Sequence, residues 1–228
     1  MTLTVLTERY GTLSDLGYGP KRIAIPAIFD CIVNSMLECD LRVEGIFRRN
    51  GQVKAVNELA EKLDSRPNDI VDIISQEKNP VHLASLLKRF LRELPEPLLT
   101  HRLQKLFLIS QKMPREQDQI LVLYFACILL PEVNRNVLEV LLLFLRHVSS
   151  FQGNCDSDES SRGNRMDINN LATIIAPNIL SYSAKGPGIG GVVENPGQPF
   201  DQIIGVVKSL LIHQETIWSV STFSQYSV

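Results

Sequence analysis

Apolar residues recur three and four positions apart along almost the whole chain, and the strict alternation of a half-buried strand is hard to find. After a turn-rich leader (Gly11, Gly17, Gly19, Pro20), Pro26 stands where a first helical residue should. Ile25, Ile28, Phe29, Ile32, Val33 and Met36 then form one apolar stripe. Residues 41–51 break the period and end in Asn50-Gly51, a turn signal. Val53, Val56, Leu59 and Leu63 predict the next helix. The one after it has sharp limits: Asn79-Pro80 supplies a cap and a first-turn proline, Val81, Leu83, Leu86, Leu87, Phe90 and Leu91 give a buried face, and Pro95 and Pro97 stop it.

Further helices are predicted over 103–113 and 117–130, the second ending at Pro131. Residues 136–149 are apolar nearly all round, as expected of a central core helix. Asp167 is placed to cap a short helix that Pro177 closes after Ala176. Residues 200–212 give the last long helix, with Trp218 expected to pack the tail back onto the body. Two stretches stand apart. Residues 152–165 are rich in Gly, Asn, Ser and Asp, and 181–199 carry Gly186, Gly188, Gly190, Gly191, Pro196 and Pro199. The pattern therefore predicts an all-α domain of eight or nine helices over 23–228. Residues 1–22 form an N-terminal extension packed on it, and long mobile surface loops lie near 152–166 and 181–199.

Composition narrows the partners. A net charge of -2 and a pI near 6.1 argue against nucleic acid or an anionic membrane as the main partner. Cys31, Cys39, Cys127 and Cys155 include no C-x-x-C pair and fit buried thiols in a reducing compartment. The first twenty residues lack the layout of a signal peptide, and the apolar run 137–145 is too short to span a bilayer, so a cytoplasmic chain is expected. His82, His101, His147 and His213 are scattered without metal-ligand spacing, and no phosphate-binding or nucleophile-elbow motif is present.

What remains is a placement of cations. In Gly45-Ile46-Phe47-Arg48-Arg49-Asn50-Gly51, two arginines follow an apolar anchor and precede a turn. On these residues alone, two solvated loop arginines are an equal reading. Lys88 and Arg92 lie four apart on one helical face, where like charges repel by a few tenths of a kcal/mol. Arg89 adds to that density, so the cluster calls for an internal acceptor or an external acid.

Three blocks carry a resemblance: Glu44-Gly45-Ile46-Phe47-Arg48-Arg49; the run Leu87-Lys88-Arg89-Phe90-Leu91-Arg92-Glu93-Leu94-Pro95-Glu96-Pro97-Leu98-Leu99; and Asn170-Leu171-Ala172 leading to Ala176-Pro177-Asn178-Ile179-Leu180. In order and spacing they resemble the signature blocks of the Rho GTPase-activating (RhoGAP) family, over roughly residues 10–217. Within it, the wording is most similar to fungal members that carry LIM domains.

The resemblance implies a GTPase activator, itself not an enzyme. It would act on a Rho-family small GTPase in the GTP-bound form, with GTP and Mg²⁺ held by that partner and no cofactor of its own. Arg48 would be the arginine finger. Lys88, Arg92, Asn178, Arg49 and Asn170 would serve the GTPase interface and the support of the finger loop. Within that set, Arg92 is expected to brace the loop through backbone carbonyls, Lys88 to face the GTPase, and Arg49 to lie on the solvated side. Departures are Ala176 where the family usually has Gly, Arg-Asn-Gly in the loop where Ser-Gly is common, and a longer 152–165 stretch. The alternative is a module of the same fold that binds a GTPase or another partner without accelerating hydrolysis.

Overall fold

In the computed structural model, residues 1–153, 163–180 and 198–224 are described, with side chains at all of these except 198–199 and 219–224. The chain runs α1 (Leu3–Tyr10), β1 (Gly11–Ser14), β2 (Ile23–Pro26), α2 (Ala27–Leu37), α3 (Val53–Ser65), α4 (Ile70–Ser75), α5 (Pro80–Arg92), α6 (Gln104–Ser110), α7 (Glu116–Ile128), α8 (Glu132–Ser149), α9 (Ile168–Ile179) and α10 (Gln198–Ser224).

The capping chemistry read from the sequence forms. Asn79 accepts from the Val81 N–H at 3.0 Å with Pro80 opening α5, and Asp167 accepts from the Asn170 N–H at 2.7 Å to start α9. The leader departs from expectation. Its first residues form α1, capped by Thr2, and Leu3 is buried in the core. Residues 11–14 then pair antiparallel with 23–26, from Gly11 opposite Pro26 to Ser14 opposite Ile23. Strands of four residues are too short to show alternation, so Pro26 ends a strand and α2 begins at Ala27. The six-residue α4 is likewise too short for a period to register. Pro177 does not close α9, which continues to Ile179. A proline here removes the N–H that would donate to the Thr173 carbonyl, so the helix is carried past it without that hydrogen bond.

The core gathers around α8, whose Val137, Leu138, Val140, Leu141, Leu145 and Val148 are buried, as the apolar circumference predicted. Three polar residues on this helix each hydrogen-bond a backbone group of a surrounding segment. Asn134 donates to the Leu98 carbonyl at 2.9 Å, Asn136 donates to the Ala24 carbonyl at 3.0 Å, and Glu139 accepts from the Tyr18 N–H at 2.5 Å. The Trp218 side chain donates to the same Glu139 carboxylate. Trp218 is buried and stacks on Tyr18 with ring centroids 6.3 Å apart, which fastens the tail to the body as expected.

The two polar stretches have different standing. Most of 152–166 and nearly all of 181–199 lie outside the described residues. Gly163, Asn164 and Met166 are described and buried, so the end of the first stretch belongs to the core rather than to a surface loop. Cys31 and Cys39 are half-buried, Cys127 is buried, and all three are free thiols; Cys155 lies outside the described residues. No helix among the described residues is long and apolar enough to cross a membrane.

Burial raises the Glu139 carboxyl above its ordinary value, against the lowering effect of its hydrogen bonds to Tyr18 and Trp218 and of Arg135. Between the ordinary carboxylate value and the raised one, the folded protein keeps a proton that the unfolded chain has released. This site therefore adds stability as the pH falls through the raised value. Glu139→Gln keeps an acceptor for Tyr18 without the buried charge. Thermal melts at pH 7 should show the variant no lower than wild type, and the acid-side gain at this site should vanish. A variant that melts several degrees lower at pH 7 would show that the buried charge is net stabilising.

Candidate functional site

The connection 41–51 between α2 and α3 is held by its own apolar residues. Ile46 and Phe47 are fully buried, and the Phe47 ring sits edge-on to Phe144 of α8 at 6.2 Å. Gly45 turns the chain into this anchor with φ +68°, where any side chain would be strained and a Cβ would stand 3.1 Å from Arg49 Cγ. The Arg49 N–H donates to the Gly45 carbonyl at 2.7 Å, closing a tight turn that leaves Arg48 and Arg49 exposed. A long cation thus projects from an immobile base.

Helix α5 clamps the far half of the turn at two points one helical turn apart. Lys88 Nζ donates to the Phe47 carbonyl at 2.6 Å, and Ser85 Oγ accepts from the Gly51 N–H at 2.8 Å. Burial first, and then the neighbouring Arg92 guanidinium, hold Lys88 below the ordinary lysine value. The near half is held from residues 164–165: the Asn164 carbonyl accepts from the Gly45 N–H at 2.8 Å, and Arg165 Nη1 pairs with Glu44 Oε1 at 3.1 Å.

The bracing part expected of Arg92 falls to Lys88. Arg92 is exposed and makes no hydrogen bond or ion pair among the described residues. The reason is position: Lys88 stands under the turn, where a flexible stem carries one compact donor to one carbonyl. Arg92 is the last residue of α5 and stands one turn beyond Lys88. Arg89 is paired with Glu93 at 2.8 Å and donates a hydrogen bond to Asn57 Oδ1 at 2.9 Å.

Asn178 is half-buried on α9 and donates to the Ile174 carbonyl at 2.8 Å. It lines, with Asn50, Asn57, Lys88 and Arg92, an open groove between the 41–51 turn, α5 and α9. Asn170 lies outside that lining set. It is exposed and donates to the Arg165 carbonyl at 3.2 Å, which supports the left-handed backbone there (φ 56°). Arg92, which lines the groove, and Arg48 and Arg49 on the turn that borders it have no acidic partner among the described residues. Among those residues, no cluster of His, Cys, Asp or Glu could hold a metal ion.

The RhoGAP domain family matches residues 26–184, a span that contains the turn, both of its clamps and the groove. The chain belongs to the RhoGAP domain family. It is 39% identical over 97% of its length to the Rho-GTPase-activating protein LRG1 of Saccharomyces cerevisiae. It is 40% identical over 81% of its length to the Rho-type GTPase-activating protein 1 of Schizosaccharomyces pombe. These relatives agree with the fungal cast of the sequence. The chain spans 22% and 16% of their lengths.

The crystal structure of human Rho GTPase activating protein 15 shares the fold, with TM-score 0.66 at 20% identity over 84% of this chain and 83% of that one. The BH domain from GRAF, the GTPase regulator associated with focal adhesion kinase, has TM-score 0.65 at 18% identity over 90% and 96%. This RhoGAP domain is therefore the all-α module that its periodicity predicted.

Ser85, Asn164 and Arg165 were not legible as site residues. Ser85 is an ordinary helical serine in sequence, and the other two close a stretch whose composition signals only a loop. The brace gives a prediction. Lys88→Met keeps the stem but leaves the Phe47 carbonyl unpaired, which should cost on the order of 1–3 kcal/mol. Thermal melts should show a fall of several degrees for Lys88→Met and none for the exposed Arg92→Ala. Equal melting temperatures for Lys88→Met and wild type would mean that water replaces the ammonium freely.

Proposed function

We propose that this RhoGAP domain accelerates GTP hydrolysis by a Rho-family small GTPase in its GTP-bound form, with Arg48 entering the partner's active site as an arginine finger. The supporting observation is the unpaired Arg48 guanidinium on a turn pinned at Gly45, Phe47 and Gly51. The partner holds GTP and Mg²⁺, and the domain contributes no cofactor.

As the γ-phosphoryl group transfers, negative charge spreads over its oxygens, and a preorganised cation at that point lowers the barrier without having to be repositioned. Only a guanidinium offers a fixed charge with several donors in one plane. Arg92 and Asn178, across the groove from the turn, meet the GTPase surface around the finger, and Lys88 keeps the turn rigid. Arg49 stays on the solvated side, because adjacent residues cannot both enter one phosphate site without unwinding the turn that Gly45 closes. The partner reading is a protein surface, with neither nucleic acid nor membrane insertion. Its place is the cytoplasm, with recruitment to the cell cortex wherever the GTPase acts.

The finger stabilises the transition state more than the ground state, so its loss belongs in the rate. For Ras- and Gα-type GTPases a finger is worth roughly 10³ to 10⁵ in rate, or about 4–7 kcal/mol. Arg48→Ala should lose acceleration on that scale in single-turnover hydrolysis against a panel of Rho-, Rac- and Cdc42-type GTPases. Its affinity for the GTPase loaded with a non-hydrolysable GTP analogue should stay within a few-fold of wild type. Arg49→Ala should remain active. An Arg48→Ala protein that keeps more than a tenth of wild-type acceleration would overturn the assignment.

A further inference from the structure

We propose that Asn164 is a positioning residue for Arg48: it sets the backbone from which the finger projects, without touching GTP or the GTPase itself. The proposal rests on the arginine-finger reading above.

Asn164 is fully buried, and every polar group it owns is engaged. Its amide donates to the Leu41 carbonyl and to the Val148 carbonyl, each at 2.8 Å, and its Oδ1 accepts from the Met166 N–H at 2.8 Å. Its main-chain N–H donates to the Phe151 carbonyl, and its main-chain carbonyl accepts from the Gly45 N–H, both at 2.8 Å. One residue therefore ties the end of α8, the entry to α9 and two points of the finger connection.

Those two points, Leu41 and Gly45, bracket the segment that leads into Arg48. The next residue adds a third tie, since Arg165, held in a left-handed conformation, reaches Glu44. The Lys88 and Ser85 clamps act on Phe47 and Gly51, so they fix the turn from Phe47 onward. Asn164 fixes it from the other side. Gly45 can adopt many backbone conformations, and the hydrogen bond to its N–H joins the Arg49 N–H bond on its carbonyl in selecting one. Without that bond the turn would keep its apolar anchor but lose the angle at which Arg48 leaves it.

Only an amide fits this place. Two donors and one acceptor in one plane match two carbonyls and one N–H. Aspartate would present oxygens to both carbonyls, and alanine would leave both unpaired.

A purely structural role and a positioning role differ in what they do to folded molecules. Misplacing a catalytic group by about 1 Å can cost about 10²-fold in rate while ground-state binding persists. The test compares two affinities measured on the same sample of the 228-residue chain. One is for the responsive Rho-family GTPase bound to GDP and aluminium fluoride, a mimic of the transferring phosphoryl group. The other is for the same GTPase bound to a non-hydrolysable GTP analogue. An unfolded fraction lowers both equally, so their ratio reports only the geometry of the finger.

For Asn164→Ala the preference for the aluminium fluoride complex should fall by at least about tenfold, with kcat reduced and KM little changed. A ratio equal to wild type overturns the proposal. If Asn164→Ala does not fold, Arg165→Ala decides. Its side chain is more than half exposed, so its loss leaves the core intact. The ratio should fall by about two- to fivefold, the scale of an exposed ion pair, and an unchanged ratio is the overturning result. Failure of the arginine-finger reading looks different, because wild type would then show no preference for the aluminium fluoride complex.

Discussion

The hydrogen bond from the Lys88 ammonium to the Phe47 carbonyl is the contact on which the site depends. A side chain as long as arginine has many rotamers, and immobilising one costs on the order of 1 kcal/mol or more before it touches anything. The backbone beneath it must add no further freedom. Phe47 meets that need twice: its ring is locked against Phe144, and its carbonyl is locked by a half-buried ammonium. Burial costs the ammonium some of its basicity, and the carbonyl recovers part of that cost.

The same economy extends outward from α8. This helix is apolar enough to be the core, yet Asn134, Asn136 and Glu139 on it satisfy backbone groups of three surrounding segments. Its last turn offers the Val148 carbonyl to Asn164. The finger turn, the hairpin and the exit of α5 are thus referenced to one rigid rod. Side chains at the rod's surface hold main chain that would otherwise be loop, and the position of Arg48 is inherited from the core through two layers of hydrogen bonds.

Charge is distributed to suit this arrangement. Arg89 is paired within the domain with Glu93 and hydrogen-bonded to Asn57, and Lys88 is turned inward. Arg92 lines the groove between the turn, α5 and α9, and Arg48 and Arg49 stand exposed on the turn that borders it, all three unpaired among the described residues. A net charge near zero over the whole chain coexists with a local concentration of free guanidinium groups. Such a face favours an anionic partner and speeds encounter with it at low ionic strength.

By itself the sequence determined the helices with full periods and sharp caps, such as α5 between Asn79-Pro80 and Pro95. It also determined the core character of α8 and the exposed cation on an apolar anchor. These are local or periodic properties, written in residues a few positions apart. Tertiary structure alone decided the rest. Which of Lys88 and Arg92 braces the turn depended on where α5 ends relative to residues 41–51, and no helical spacing encodes that. The hairpin β1–β2 and the short α4 are stabilised by packing rather than by pattern. Asn164 could not be told from its polar neighbours. Its place in the core comes from four carbonyl and N–H partners, at positions 41, 45, 148 and 151, that only folding brings together.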